Sequence, residues 1–156
     1  MDHETFMRAA IALSQKNVDD GTGGPFGAVV VRDGEIIGEG TNLVTSANDP
    51  TAHAEVVAIR QACERLGTYN LEGCVVYTSC EPCPMCLSAI YWARLDRIFY
   101  GNTKVDAAKI DFDDDFLYRE IPKPISERTI PTEQLLHDES IAAFDAWAKS
   151  EIKIPY

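Results

Sequence analysis

The sequence predicts an α/β domain, a mixed sheet with helices on both faces. Three observations lead there. A β-branched run at residues 26–31 is followed by Asp33-Gly34 and a second strand-like segment, Glu35–Thr41, which is the pattern of a hairpin. Amphipathic stretches of helical length then alternate with short apolar runs, as in strands joined by helical crossovers. Finally, 156 residues with 46% hydrophobic side chains fit one domain that builds its own core without staples.

Each element has a local reason. Residues 2–20 place Phe6, Ala10, Leu13 and Asn17 at helical spacing, with Asp2 available as the cap. Gly21-Thr22-Gly23-Gly24-Pro25 is loop by composition, and no Lys-Ser/Thr pair follows to make it a phosphate loop. After the hairpin, a polar loop ends in Asp49-Pro50, and the stretch to Leu66 reads as a helix closed by Gly67. Residues 74–78 read as a strand, 82–93 as a helix and 97–100 as another strand. Residues 105–110 and 114–120 read as short helices. Pro122, Pro124 and Pro131 break up a linker, 134–137 is the candidate last strand, 141–149 is helical and 151–156 is a loose tail. The expectation is thus a five-stranded mixed sheet in one domain spanning 1–156.

Charge narrows the partners. Fourteen basic against 25 acidic side chains leave a net charge of −11. Phosphate backbones are bound through Lys and Arg, so nucleic acid is disfavoured as a partner. No run of 18 apolar residues is present to span a membrane, and Met1-Asp2-His3-Glu4 lacks the blocks of a signal peptide. The expected compartment is the cytoplasm. There, five cysteines suggest metal binding or chemistry rather than a disulfide framework.

Two clusters carry chemistry, Thr51-Ala52-His53-Ala54-Glu55 and Ser79-Cys80-Glu81-Pro82-Cys83-Pro84-Met85-Cys86. Cys83 and Cys86, three apart, lie on one side of a helix and can grip one ion. Pro82 and Pro84 are tolerated only in a first turn, which puts both sulfurs at a helix N-terminus, where the dipole favours thiolates. His53 and Glu55 are two apart and would diverge in mid-helix by roughly 200°. They face one point only if the helix begins near His53, which makes Thr51 a better cap candidate than Asp49. One imidazole and two thiolates are three zinc ligands, leaving a fourth position to water, with Glu55 beside it to move protons. The competing reading is a closed structural site of His53, Cys80, Cys83 and Cys86. It gives Glu55 no role, and Cys80 precedes the Pro82 turn. Cys63 and Cys74 read as buried small hydrophobes, and His3 and His137, without sequence partners, as surface residues.

These residues resemble the cytidine and deoxycytidylate deaminase superfamily, whose zinc signature is H-x-E followed by P-C-x-x-C. Pro25-Phe26-Gly27-Ala28-Val29, Asn42, Asp49-Pro50-Thr51-Ala52-His53-Ala54-Glu55 and residues 79–86 match in order. Within it, Ala89-Ile90-Tyr91-Trp92-Ala93-Arg94, Phe112-Asp113-Asp114-Asp115-Phe116, Glu127-Arg128-Thr129-Ile130-Pro131 and Tyr156 resemble the small bacterial guanine deaminases. The resemblance implies a three-layer α/β/α cytidine deaminase-like fold, one zinc ion per subunit on His53, Cys83 and Cys86, and deamination of guanine to xanthine and ammonia. It implies Glu55 as proton shuttle, Asp114 as second proton carrier and base-binding group, and Asn42 and Ala54 at the base. Without it, the run Asp111, Asp113, Asp114, Asp115 reads as a solvated face, and Asn42 as a turn residue. Phe26 and Trp92 are candidate walls for a flat base, against core packing as the alternative.

The resemblance also implies a homodimer in which the C-terminal segment crosses to a second subunit, with residues 122–131 as the linker, the tail 151–156 capping the neighbour's site and Tyr156 closing over it. The alternative is a tail packed on its own chain. A tRNA adenosine deaminase shares both metal motifs, but residues 106–156 carry 12 acidic and six basic side chains, which suits a small neutral base better. Guanosine, cytosine and cytidine remain rival substrates. A zinc-stabilised interaction module is the non-enzymatic rival, and it predicts tolerance of Glu55→Gln.

Overall fold

The computed structural model describes residues 2–156. It consists of two compact units, one ending at Asp115 and one spanning Phe116–Tyr156. In the first, helix α1 (His3–Asp19) leads to strands β1 (Gly27–Arg32) and β2 (Glu35–Thr41), a short helix α2 (Val44–Ala47) and helix α3 (Ala54–Leu66). Strand β3 (Cys74–Cys80), helix α4 (Pro84–Trp92), strand β4 (Arg97–Asn102) and helix α5 (Lys104–Ala108) follow. Asp2 caps α1, accepting from the Thr5 amide, and Gly67 ends α3 in the left-handed conformation.

The sheet has four strands in the order β2-β1-β3-β4. β1 pairs antiparallel with both β2 and β3, while β3 and β4 run parallel because α4 carries the chain back between them. Alternation along β1 divides the core between two faces. Ala28 and Val30 pack with Ala54, Ala58, Ala62 and Ile90 of α3 and α4. Val29 and Val31 pack with Ala10 of α1 and with Tyr77, flanked by Phe6, Met7 and Leu13. This is the expected three-layer α/β/α arrangement, with one strand fewer than expected. Residues 134–137 form no strand, since Leu136 adopts a positive φ of 55° that breaks extended backbone and His137 opens a helix. His3 is exposed, as expected, and its Nδ1 lies 2.7 Å from the Tyr77 hydroxyl with its ring 4.4 Å from that of Phe99.

The unit Phe116–Tyr156 takes in most of helix α6 (Asp115–Glu120), a 3₁₀ turn (Ile125–Glu127) and helix α7 (His137–Lys149). The proline-rich stretch is stapled rather than plain linker. Glu120 accepts from the Thr129 amide at 2.9 Å and its hydroxyl at 3.0 Å and pairs with Lys123, which holds its carboxyl down to about 2. Ile141, Phe144 and Trp147 are exposed along α7. Among the described residues no helix is long and apolar enough to cross a membrane.

The edge strand β2 sits directly under α3. At Gly40 an added Cβ would collide with the Ala54 carbonyl oxygen and approach the Ala58 amide nitrogen to 2.6 Å. Both are helix backbone and cannot swing aside as a side chain would. Gly40→Ala should therefore destabilise the chain by about 1–3 kcal/mol, the usual cost of overpacking, measured by denaturant unfolding of the zinc-loaded protein.

Candidate metal centre and active site

His53 is the N-cap of α3 and Cys83 the N-cap of α4, both with extended backbone. Neither makes a side-chain capping bond, so each side chain is available to a ligand, and the two open helix ends favour negative charge. Thr51 is not the cap, because its amide and hydroxyl both donate to Asp49 Oδ1, at 2.9 and 2.6 Å. That local turn places the chain so that α3 starts after His53. Pro84 at N1 starts α4 in the same way.

His53 Nδ1 lies 3.6 Å from Cys83 Sγ and 3.4 Å from Cys86 Sγ. These three are the one group of metal-ligating side chains found among the described residues, with their ligand atoms all within 4.8 Å. Hydrogen bonds from Cys86 and His53 hold the Cys83 thiol down to about 4. The bond to Cys83, and then burial, push Cys86 up, and Cys83 raises His53. One imidazole and two sulfurs competing for protons at two helix ends are a donor set suited to zinc with an open fourth position. Cys80 stands apart. It is buried, its Sγ points to the Thr103 carbonyl at 3.8 Å, and burial lifts its thiol to about 11.

Glu55 follows in the first turn of α3 and is only 6% exposed. Burial raises its carboxyl, opposed by hydrogen bonds that include those from Cys86 and Thr78. The Thr78 hydroxyl donates to Glu55 Oε1 at 3.1 Å. Ala54, at N1, has a backbone N–H that the helix does not use.

Asn42 ends β2 beside this helix start, and the Leu43 amide bonds the Ala52 carbonyl at 2.9 Å. Its Oδ1 accepts from the Val44 amide at 3.1 Å, which turns the side-chain NH₂ into the group that can meet a base. Half-buried Phe26 packs edge-on against Phe112, ring centroids 5.0 Å apart. That contact draws the acidic run inward. Asp111, Asp113 and Asp115 are exposed, while Asp114 is half-buried and feels Cys83 strongly enough that burial and that negative charge both raise its carboxyl.

One predicted site residue stands at the far end of α4, and another belongs to the second unit. Trp92 is the last residue of α4, nine positions and so about 13 Å of helix rise from Cys83, and it is 68% exposed. The helix whose start carries Cys83 thus runs away from that start before it reaches Trp92. Tyr156 is exposed in the second unit.

Three residues carry weight that no motif signals. Thr78 holds Glu55. Phe112 anchors the acidic run. Asn17, buried in α1, donates from Nδ2 to the carbonyls of Gly24 at 2.7 Å and Asn42 at 2.9 Å, tying the glycine loop to the end of β2. At Gly23 a Cβ would strike that Asn42 carbonyl. The one available signal is Asn17 itself, a polar side chain on the apolar stripe of its helix.

The family model for the cytidine and deoxycytidylate deaminase zinc-binding region matches residues 1–102. The chain belongs to that family, and it takes one zinc ion. It is 56% identical to the guanine deaminase of Bacillus subtilis over 156 residues, 100% of both chains. The X-ray structure of that enzyme matches with a TM-score of 0.97 over 100% of this chain and 99% of its own. The guanine deaminase from Nitrosomonas europaea is 30% identical with a TM-score of 0.69, covering 80% of this chain and 68% of that one. A tRNA-specific adenosine deaminase from Aquifex aeolicus is 41% identical over 101 residues, 65% of this chain and 66% of its own.

Cys83→Ala and Cys86→Ala should each leave the purified chain nearly free of zinc after dialysis, measured by atomic absorption. Cys80→Ala should keep one zinc per chain, since the open three-ligand set does not use it.

Proposed function

We propose that the protein hydrolyses guanine to xanthine and ammonia. The observation that carries this is full-length likeness to a guanine deaminase, including the residues beyond 102 that hold Phe112 and Asp114. When bound, zinc supplies Lewis-acid activation of a water at the open coordination position. His53, Cys83 and Cys86 hold the ion. Asn42 donates from its side-chain amide and Ala54 from its backbone N–H to acceptors on the purine edge, while Phe26 walls the ring.

Glu55 accepts a proton from the attacking water and delivers it to N3 as oxygen adds to C2. The second proton of that water then passes to the exocyclic amine, with Asp114 as the second carrier, and the C2–N bond breaks to release ammonia. Both carboxyls sit where burial raises them, which suits groups that must take and give protons.

The working unit we assign is a homodimer in the cytoplasm. Five free cysteines suit a reducing compartment. Tyr91 and Trp92, 76% and 68% exposed, border a shallow recess of about 360 Å³ with Leu87 and Ser88, and α7 exposes its own apolar stripe. Surfaces of this kind suit a second copy. Residues 152–156, with Tyr156, are then the segment that closes the neighbour's site.

The test is ammonia release from the zinc-loaded protein given guanine, guanosine, adenine, cytosine and cytidine. Guanine should be the preferred substrate, and Glu55→Gln should lower its turnover by about 10²-fold or more. Preference for another base would overturn the substrate, and full activity of Glu55→Gln the mechanism. Deleting residues 152–156 should sharply reduce guanine turnover while zinc content stays at one per chain. Unchanged kinetics would remove the closing role.

A further inference from the structure

Thr78 is buried in β3, and its hydroxyl stands between two acceptors, Glu55 Oε1 at 3.1 Å and the Cys80 carbonyl oxygen at 3.1 Å. A hydroxyl has one proton to give and lone pairs with which to accept. Its proton can meet Oε1, which gives the buried carboxyl a fixed partner on the central strand.

We propose that Thr78 is a positioning residue for the proton shuttle, its buried hydroxyl fixing Glu55 in one orientation from the central strand. The proposal rests on Glu55 being the proton carrier of a guanine-deaminating site. Thr78 touches neither the base nor the metal ligands' side chains in this role; it acts through Glu55. Its own backbone, paired with Ala28 on β1 and Tyr100 on β4, is fixed by the central strand. The hydroxyl is therefore presented from a rigid element, as positioning groups need to be.

The experiment uses the full-length, zinc-loaded chain and compares Thr78→Val, Thr78→Ser, Glu55→Gln and the Thr78→Val/Glu55→Gln double variant on guanine. Valine keeps the shape and removes the hydroxyl. It should lower kcat by about 10-fold or more, the scale on which supporting partners act, with KM within about twofold and zinc content unchanged. Thr78→Ser should restore most of the turnover. Once Glu55 is glutamine, the added valine should change the residual rate by less than about twofold, because the two residues act as one unit. Wild-type kcat in Thr78→Val would overturn the proposal. So would a serine variant as slow as valine, or an undiminished cost of valine in the Glu55→Gln background. Should the valine chain fail to fold, Thr78→Ala is read by the same criteria. A wild-type chain that does not turn over guanine would instead remove the reading of the site. An active wild type beside an equally active Thr78→Val removes only the role of Thr78.

Discussion

The close seating of α3 on β2 is the contact on which the site depends. At Gly38 and Gly40 the helix backbone lies so near the strand that a methyl group has no room. The first turn of that helix carries Ala54 and Glu55, with His53 just before it. A shift of α3 would therefore move His53, Ala54 and Glu55 together. The other half arrives from β3, whose carboxyl end passes through Glu81-Pro82 to Cys83 and the start of α4. The Glu81 amide bonds the Asn102 carbonyl at 2.7 Å, which ties that connection to the end of β4. Two helix starts thus meet outside the carboxyl ends of parallel strands, the usual position for a site in sheets of this type.

That convergence concentrates negative charge. Cys83 raises Cys86, and its charge also raises Glu55 and Asp114. Without a cation these groups oppose one another. A divalent ion would relieve the opposition among the sulfurs and leave Glu55 buried, with the Thr78 hydroxyl as its donor. Buried polar groups elsewhere obey the same rule. Asn17 spends its amide on two carbonyls, and the Ser79 hydroxyl accepts from the Gly27 amide at 3.0 Å. No buried side-chain polar atom lacks a partner among the described residues.

What could be read from the chain follows how local each feature is. The metal ligands were legible because Pro-Cys-x-x-Cys and His-x-Glu are local patterns whose geometry a helix start dictates. The hairpin and the helix cores were legible for the same reason, through turn chemistry and periodicity. What was not legible is which side chains meet and which backbone turns, near or far along the chain. His3 bonds Tyr77 across 74 positions, and nothing near either residue announces it. Thr51 has the right type for a cap, but Asp49, two residues away, takes both of its donors. The apolar Leu135-Leu136 pair suggested a strand at 134–137, yet both side chains are exposed and Leu136 is left-handed. Trp92 was grouped with the pocket by residue type, while nine residues of helix separate it from the ligand end.

Asp114 is the instructive case. Composition alone assigns the run around it to solvent, and for Asp111, Asp113 and Asp115 that is what the structure holds. Phe112 packs edge-on against Phe26, and Asp114, unlike those neighbours, is half-buried, with its carboxyl raised by burial and by the Cys83 charge. The zinc-binding region shared across the family ends at residue 102, before this segment begins. His53, Glu55, Cys83 and Cys86 therefore belong to the part that guanine and tRNA adenosine deaminases have in common. A second acid, Asp114, belongs to the part that need not be shared. Phe112 and Asp114 lie in the stretch beyond residue 102, which the full-length likeness to a guanine deaminase also covers. The net charge of −11 would oppose a polyanion.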